Sequence, residues 1–268
     1  MEATTLGVNR TGATAFPAGV QAMAEAVATL SPPTDIDMSG SEAFHVSYIS
    51  EADAIGSIPP PPSLKGVVKS GISKLKGANP SIFMDKIGER IAFERGGTRL
   101  YEALITKYKA LDDRDGEALM PAEKALASQG GEAELAAISG ETALQTLERI
   151  RAEELAHFQM LVQAMEQLGG DPTAQTPCAD VIATASMGLM QVVTDPRTTL
   201  AQSLNAILTA ELADNAGWEL LAQLAEEAGE PELTGKFLGA LSQEQEHMLV
   251  VKAWLATLVS ERAGTPAV

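Results

Sequence analysis

An all-α protein is predicted by three features of this chain. Aromatic residues make up only 4% of it against a hydrophobic fraction of 45%, much of that alanine and leucine. Such a composition suits helices and not a β-sandwich, which needs aromatic and β-branched residues. Four stretches carry apolar residues at helical spacing, and glycine and proline signals separate them.

Residues 1–80 read as an N-terminal arm. A short helix from Ala18 to Leu30 is closed by Ser31-Pro32-Pro33, and a polar stretch and the run Pro59–Pro62 follow. A proline run favours an extended spacer, so residues 1–62 are expected to be loosely ordered. Next, Lys65, Lys69, Lys74 and Lys76 stand among Val67, Val68, Ile72 and Leu75. This segment is either a basic arm for an acidic surface (its own domain, a second subunit of a homo-oligomer, or an anionic membrane) or a solvated linker.

A helical domain is expected over 81–263. The first long helix, about Ile82 to Leu111, aligns Ile87, Ile91, Glu94, Thr98, Tyr101, Leu104, Ile105 and Tyr108. An insertion at about 112–140 carries a short helix from Pro121 to Ser128. The second long helix, Glu141 to Leu168, aligns Leu147, Ile150, Glu154, His157, Phe158, Leu161 and Met165, and stops at Gly169-Gly170. A connecting helix from Asp180 to Val193 follows. The third long helix opens with Asp195 as N-cap and Pro196 at its first position. It aligns Leu204, Ile207, Leu208, Glu211, Trp218 and Leu221 and ends near Gly229. The fourth starts after Pro231 and aligns Phe237, Leu241, Glu244, His247, Met248, Val251, Trp254, Leu255 and Leu258.

Every long stripe thus contains a glutamate in line with apolar residues, against the usual binary pattern. Two of the chain's 3 histidines complete a repeated motif, Glu154-Leu-Ala-His157 and Glu244-Gln-Glu-His247. Residues three apart share a helix face, so each motif aims a carboxylate and an imidazole at one point. A lone Glu-x-x-His is ordinary surface decoration. Two copies on apolar stripes, joined by Glu94 and Glu211, point to a dinuclear metal site. Unpaired carboxylates in a core are costly, whereas two divalent cations would cancel four of them. The donor set suits iron or manganese, with zinc also able to bind. Glu154 and Glu244 are the natural bridges, each sharing a helix with a terminal imidazole, and Glu94 and Glu211 the terminal carboxylates.

Other residues have two readings each. Tyr101, seven residues after Glu94, either hydrogen-bonds a ligand carboxylate, relays an electron, or packs in the core; Trp218, seven after Glu211, reads as core, as does Trp254. Asp214 either orients an imidazole or is exposed. Gly96-Gly97 either opens space beside the metals or allows close helix packing. Arg151 either neutralises an extra carboxylate or is exposed.

The formal charge of −17 disfavours nucleic acid as a partner. Cys178 is the single cysteine, so neither a disulfide within the chain nor a thiolate cluster is possible. The first residues lack a basic-then-apolar leader, and the stretch from Val181 to Val193 is too short to span a bilayer. A cytoplasmic location is the expectation.

With Glu94…Tyr101, Glu154-x-x-His157, Glu211 and Glu244-x-x-His247, the chain resembles the ferritin-like superfamily, specifically its bacterioferritin and rubrerythrin-type members. The resemblance covers about Ser81 to Leu258. It implies an antiparallel four-helix bundle with a long crossover between its second and third helices. It also implies a di-iron centre that reacts with O2 or H2O2 and draws on an external electron donor. The arm and the insertion depart from cage-forming ferritins, and the lack of rubredoxin-type cysteines excludes a self-contained rubrerythrin. A ferroxidase or peroxidase is the leading activity; an oxygenase or hydroxylase of a small organic molecule, and a non-catalytic metal-binding or assembly protein, are the alternatives.

Overall fold

The computed structural model describes residues 16–31, 37, 39–56, 58, 80–115, 119–130 and 139–264. The proline run 59–62 and the basic segment 64–76 lie outside them. The described residues form eight helices and no strand, so the fold is all-α as the composition predicts. The chain divides into two units, Met1–Ala54 and Ile55–Val268.

The first unit holds α1 (Pro17–Leu30) and α2 (Ser39–Glu51), neither of which buries a residue. The sequence marks α1, with Pro17 where a helix start tolerates proline. It does not mark α2, which corrects the loosely ordered stretch expected there. Phe44, Val46, Tyr48 and Ile49 are all exposed and make no stripe, so no periodicity betrays the helix. The Asp37 carboxylate accepts the Ser39 N–H at 2.9 Å just before its first turn.

The second unit contains α3 (Pro80–Asp115), α4 (Ala122–Ser128), α5 (Ala143–Gln167), α6 (Pro177–Thr194), α7 (Leu200–Glu227) and α8 (Pro231–Gly264). Reciprocal capping boxes start α5 (Thr142 with Gln145) and α7 (Thr199 with Gln202). Thr176 caps α6 ahead of Pro177. Gly169 and Gly229, at φ 86° and 71°, follow α5 and α7 in the left-handed region that glycine occupies without strain.

The start of α7 corrects the sequence reading. Asp195 does not cap α7 but ends α6, and its carboxylate accepts the Arg197 N–H at 2.9 Å. Pro196 sits in the intervening turn, and α7 begins only at Leu200. Thr199 and Gln202 satisfy two orphan donors together, which a lone Asp-Pro start cannot match.

Helix α3 packs against α5, α6 and α7; α8 packs against α7, α4 and α5; and α6 also touches α7. α6 is tied to α3 at both ends. Near its start the Asp85 carboxylate accepts the Cys178 N–H at 2.9 Å. Beyond its end Lys107 donates to the Asp195 carbonyl at 2.8 Å and to Ser203 Oγ at 3.0 Å. From Asp85 to Lys107 is roughly 33 Å of helix at 1.5 Å per residue, so the connecting helix follows α3 along most of its length. No helix among the described residues is long and apolar enough to cross a membrane.

The apolar interior of this unit is in two parts. One contains Leu104, Leu147, Ile150, Leu204, Val251 and Trp254. The other contains Ile87, Leu161, Met165, Trp218, Leu221 and Phe237. Between these sets, along α3, α5, α7 and α8 alike, come the buried carboxylates and imidazoles.

Candidate metal centre

Four helices each send one glutamate into the interior: Glu94 from α3, Glu154 from α5, Glu211 from α7 and Glu244 from α8, all at most 2% exposed. His157 and His247 lie beside them at 3% and 0%. The helical repeat explains this, because each group has a buried apolar residue one turn away: Ile91, Ile150, Leu161, Ile207, Ala240 and Val251. Isolated carboxylates at such depth would be strongly unfavourable.

The two imidazoles turn the same way. Nδ1 of His157 lies 2.7 Å from Glu244 and 3.6 Å from Glu94. Nδ1 of His247 lies 3.2 Å from Glu244 and 3.6 Å from Glu154. The outward nitrogens have their own partners: Nε2 of His157 faces Gln243 Oε1 at 2.9 Å, and Nε2 of His247 faces Glu153 Oε2 at 2.8 Å. Each partner stands one residue before the glutamate of the other helix's motif, so α5 and α8 hold each other's histidines.

Three overlapping groups bring their ligand atoms within 4.8 Å of one another: Glu154, Glu211, Glu244 and His247; Glu94, His157 and Glu244; and Glu94, Glu154, Asp214 and Glu244. Glu244 belongs to all three. Many inward atoms have no hydrogen-bond partner, namely both oxygens of Glu94, Oε2 of Glu154 and of Glu211, Oε1 of Glu244 and Nδ1 of His157. The His157–Glu244 approach therefore lacks hydrogen-bond alignment despite its 2.7 Å separation. Lone pairs converging without pairing, in a mixed carboxylate and imidazole set, fit a metal ion.

Electrostatics reinforce this. Burial, and after it the Glu244 carboxylate, pushes the Glu154 carboxyl well above its ordinary range and Glu211 up to about 8. Burial acts on Glu244 too, but His247 and His157 outweigh it and hold Glu244 below the usual carboxylate range. Burial lowers the basicity of both histidines, yet the carboxylates around them prevail: His157 rises to about 10 and His247 well above its usual value. Without a metal, the cluster holds itself together with protons.

Of the residues with two readings, Tyr101 donates a hydrogen bond from its hydroxyl to Glu211 Oε1. Gly97 leaves room for Glu154, since a Cβ there would overlap Glu154 Oε2, whereas Gly96 has open space beside it. Arg151 pairs at the surface with Glu102, at 2.7 Å. Trp254 is core, and its indole N–H donates to the Met120 carbonyl at 2.8 Å. Trp218 is fully buried but is more than core, because its ring meets the His157 imidazole edge-on at 5.5 Å.

Asp214 needs correcting. It neither orients an imidazole nor is exposed; it is buried and ion-paired with Arg90 of α3, itself 2% exposed. Arg90 sits one turn before Glu94, so it shares the inner face, and the absence of a side chain at Gly217 makes room for its guanidinium. The group also stacks over the Phe93 ring at 4.3 Å. Burial, and after it the Glu244 and Glu94 carboxylates, pushes the Asp214 carboxyl well above its ordinary range, and Arg90 works against them. Arg90→Leu is expected to cost the metal-free protein about 1–3 kcal/mol, as for a buried polar group left without its partner. Guanidinium denaturation reads the loss, and Arg90→Leu combined with Asp214→Leu should recover most of it.

Sequence reasoning missed Arg90, Glu153, Gln243 and Asn215. Asn215 Nδ2 donates to the Glu211 carbonyl at 2.9 Å and the Glu244 carbonyl at 3.1 Å, tying α7 to α8 beside the cluster. The one usable signal was position, since Glu153 and Gln243 each precede a motif glutamate. Comparison with protein-family models, curated proteins and solved structures finds no match for this chain.

Proposed function

We propose that this protein is a ferritin-like dinuclear metal carboxylate protein and acts as an oxidoreductase of the ferroxidase or peroxidase type. In this reading α3, α5, α7 and α8 form an antiparallel bundle within residues 81–263, and α6 lies in the long crossover. The observation that carries it is the convergence of unpaired oxygens from four glutamates with the inward nitrogens of two histidines. Glu94, Glu154, His157, Glu211, Glu244 and His247 would hold two ions, iron by preference and manganese as a substitute. When bound, two ferrous ions supply the electrons that reduce O2 or H2O2, and an external donor restores them.

The chain's own residues perform four tasks. Glu244, within reach of both imidazoles, and Glu154, within reach of Glu94 and of Glu211, would each offer oxygens to both ions. Glu153 and Gln243 orient the two histidines from behind. The Tyr101 hydroxyl fixes Glu211 and stands where it can pass a proton or an electron. The apolar sets on either side keep bulk water from the cluster, which strengthens each carboxylate's hold on a cation.

The test is stoichiometry. Anaerobic ferrous loading, desalting and elemental analysis should give about two ions per chain, and well under one would remove the basis of the reading.

A further inference from the structure

We infer that the two metal positions are unequal. The one bounded by Glu154, Glu211, Glu244 and His247 fills first and holds its ion more tightly than the one bounded by Glu94, Glu244 and His157. This rests on the dinuclear reading above and concerns how the chain divides its support between the two positions.

The two halves of the site are built on corresponding residues that differ in chemistry. The residue before each motif glutamate backs the opposite histidine. For His247 it is Glu153, a carboxylate; for His157 it is Gln243, a neutral amide. A carboxylate behind an imidazole makes it a better donor to metal than an amide does. Glu153 is also fixed in place: Arg149 donates to it at 3.0 Å and is itself held by Glu141 at 3.1 Å and Glu246 at 2.7 Å. Gln243 has no comparable cation behind it among the described residues.

A second, independent difference lies seven residues after each single glutamate. Tyr101, following Glu94, crosses the site and donates to Glu211. Trp218, following Glu211, is its counterpart, but its indole N–H has no hydrogen-bond partner, and neither oxygen of Glu94 has one, with only the longer 3.6 Å approach of His157 Nδ1. The terminal carboxylate on the His247 side is therefore held in place, while the one on the His157 side is not. Ligands already fixed lose less freedom on binding, so both differences favour the same position.

Titration of the metal-free full-length chain with cobaltous ion, followed by calorimetry and by cobalt absorbance, tests this. The wild type should bind in two steps with dissociation constants at least ~10-fold apart. Glu153→Gln should weaken the tighter step by roughly 10–100-fold, the usual effect of losing a group behind a ligand, and leave the weaker step almost unchanged. Gln243→Glu should tighten the weaker step and narrow the gap. His157→Ala should keep the tight step, and His247→Ala should lose it. If Glu153→Gln does not fold by circular dichroism, the other three variants decide. Two indistinguishable wild-type steps, or a Glu153→Gln effect on the weaker step alone, would overturn the inference while leaving a dinuclear centre. Absence of cobalt binding to the wild type would overturn the centre itself.

Discussion

Glu154→Ala is expected to abolish any acceleration of ferrous oxidation by the loaded protein, bringing the rate to that of free ferrous ion in the same buffer. Glu154 places an oxygen within reach of Glu211, Glu244 and His247 and also of Glu94, so its removal weakens both positions. Stopped-flow absorbance with O2 and with H2O2 reads the effect, and equal rates for variant and wild type would favour a non-catalytic scaffold. Gly97→Ala separates site from fold. The added Cβ would overlap Glu154 Oε2, and because that atom ends a flexible side chain, the carboxylate can move aside while the helix stays intact. Alanine also favours the helix over glycine by about 1 kcal/mol. This variant should therefore lose metal affinity while the melting temperature of its metal-free form holds or rises. A fall in both would show that Gly97 serves helix packing.

Metal-free protein should lose stability as the solution becomes more alkaline, and bound metal should reverse the loss. Glu211 ionises near 4.5 in an unfolded chain but near 8 when folded, so its contribution is complete below pH 4.5 and lost as pH rises to 8. His157 moves from 6.5 to about 10, so its contribution is complete below 6.5 and lost as pH rises through 10. The windows overlap from 6.5 to 8, where the melting temperature should fall most steeply. Metal replaces the protons and should expel them from the cluster at neutral pH, Glu211 and His157 among the groups that release them. Melting curves over pH, with and without manganous ion, check the first statement, and calorimetry in buffers of different ionisation enthalpy checks the second. Glu211→Gln should flatten the metal-free profile between pH 4.5 and 8. Parallel curves with and without metal would place these carboxylates in contact with solvent.

The burial and convergence of Glu94, Glu154, His157, Glu211, Glu244 and His247 were legible in the sequence, because a charged residue within an apolar stripe needs a buried partner or ligand to neutralise it. Their supports were less so. Glu153, Gln243 and Arg149 lie at the flank of that stripe, where polar residues are normal, and only the third dimension shows that they reach the neighbouring helix. Asp214 keeps two readings and Arg90 has none until α3 and α7 are brought together and Gly217 clears the space for the guanidinium. Thr199 is masked because Asp195-Pro196 imitates a helix start, and α2 because its apolar residues follow no period. Contacts between elements, unlike periodicity within one, leave no local trace.

The division of the interior into two apolar sets has a consequence for how the molecule comes apart. A continuous core unfolds as one cooperative unit, whereas here the join is a layer of mutually repelling groups held by protons or by cations. The metal-free chain is therefore expected to breathe at this layer, with the end around Trp254 and the end around Trp218 opening at different free energies. Native-state hydrogen exchange would show the two ends as separate protection classes without metal and as a single class with it. The ions, in that case, also act as the rivet that turns two half-cores into one folding unit.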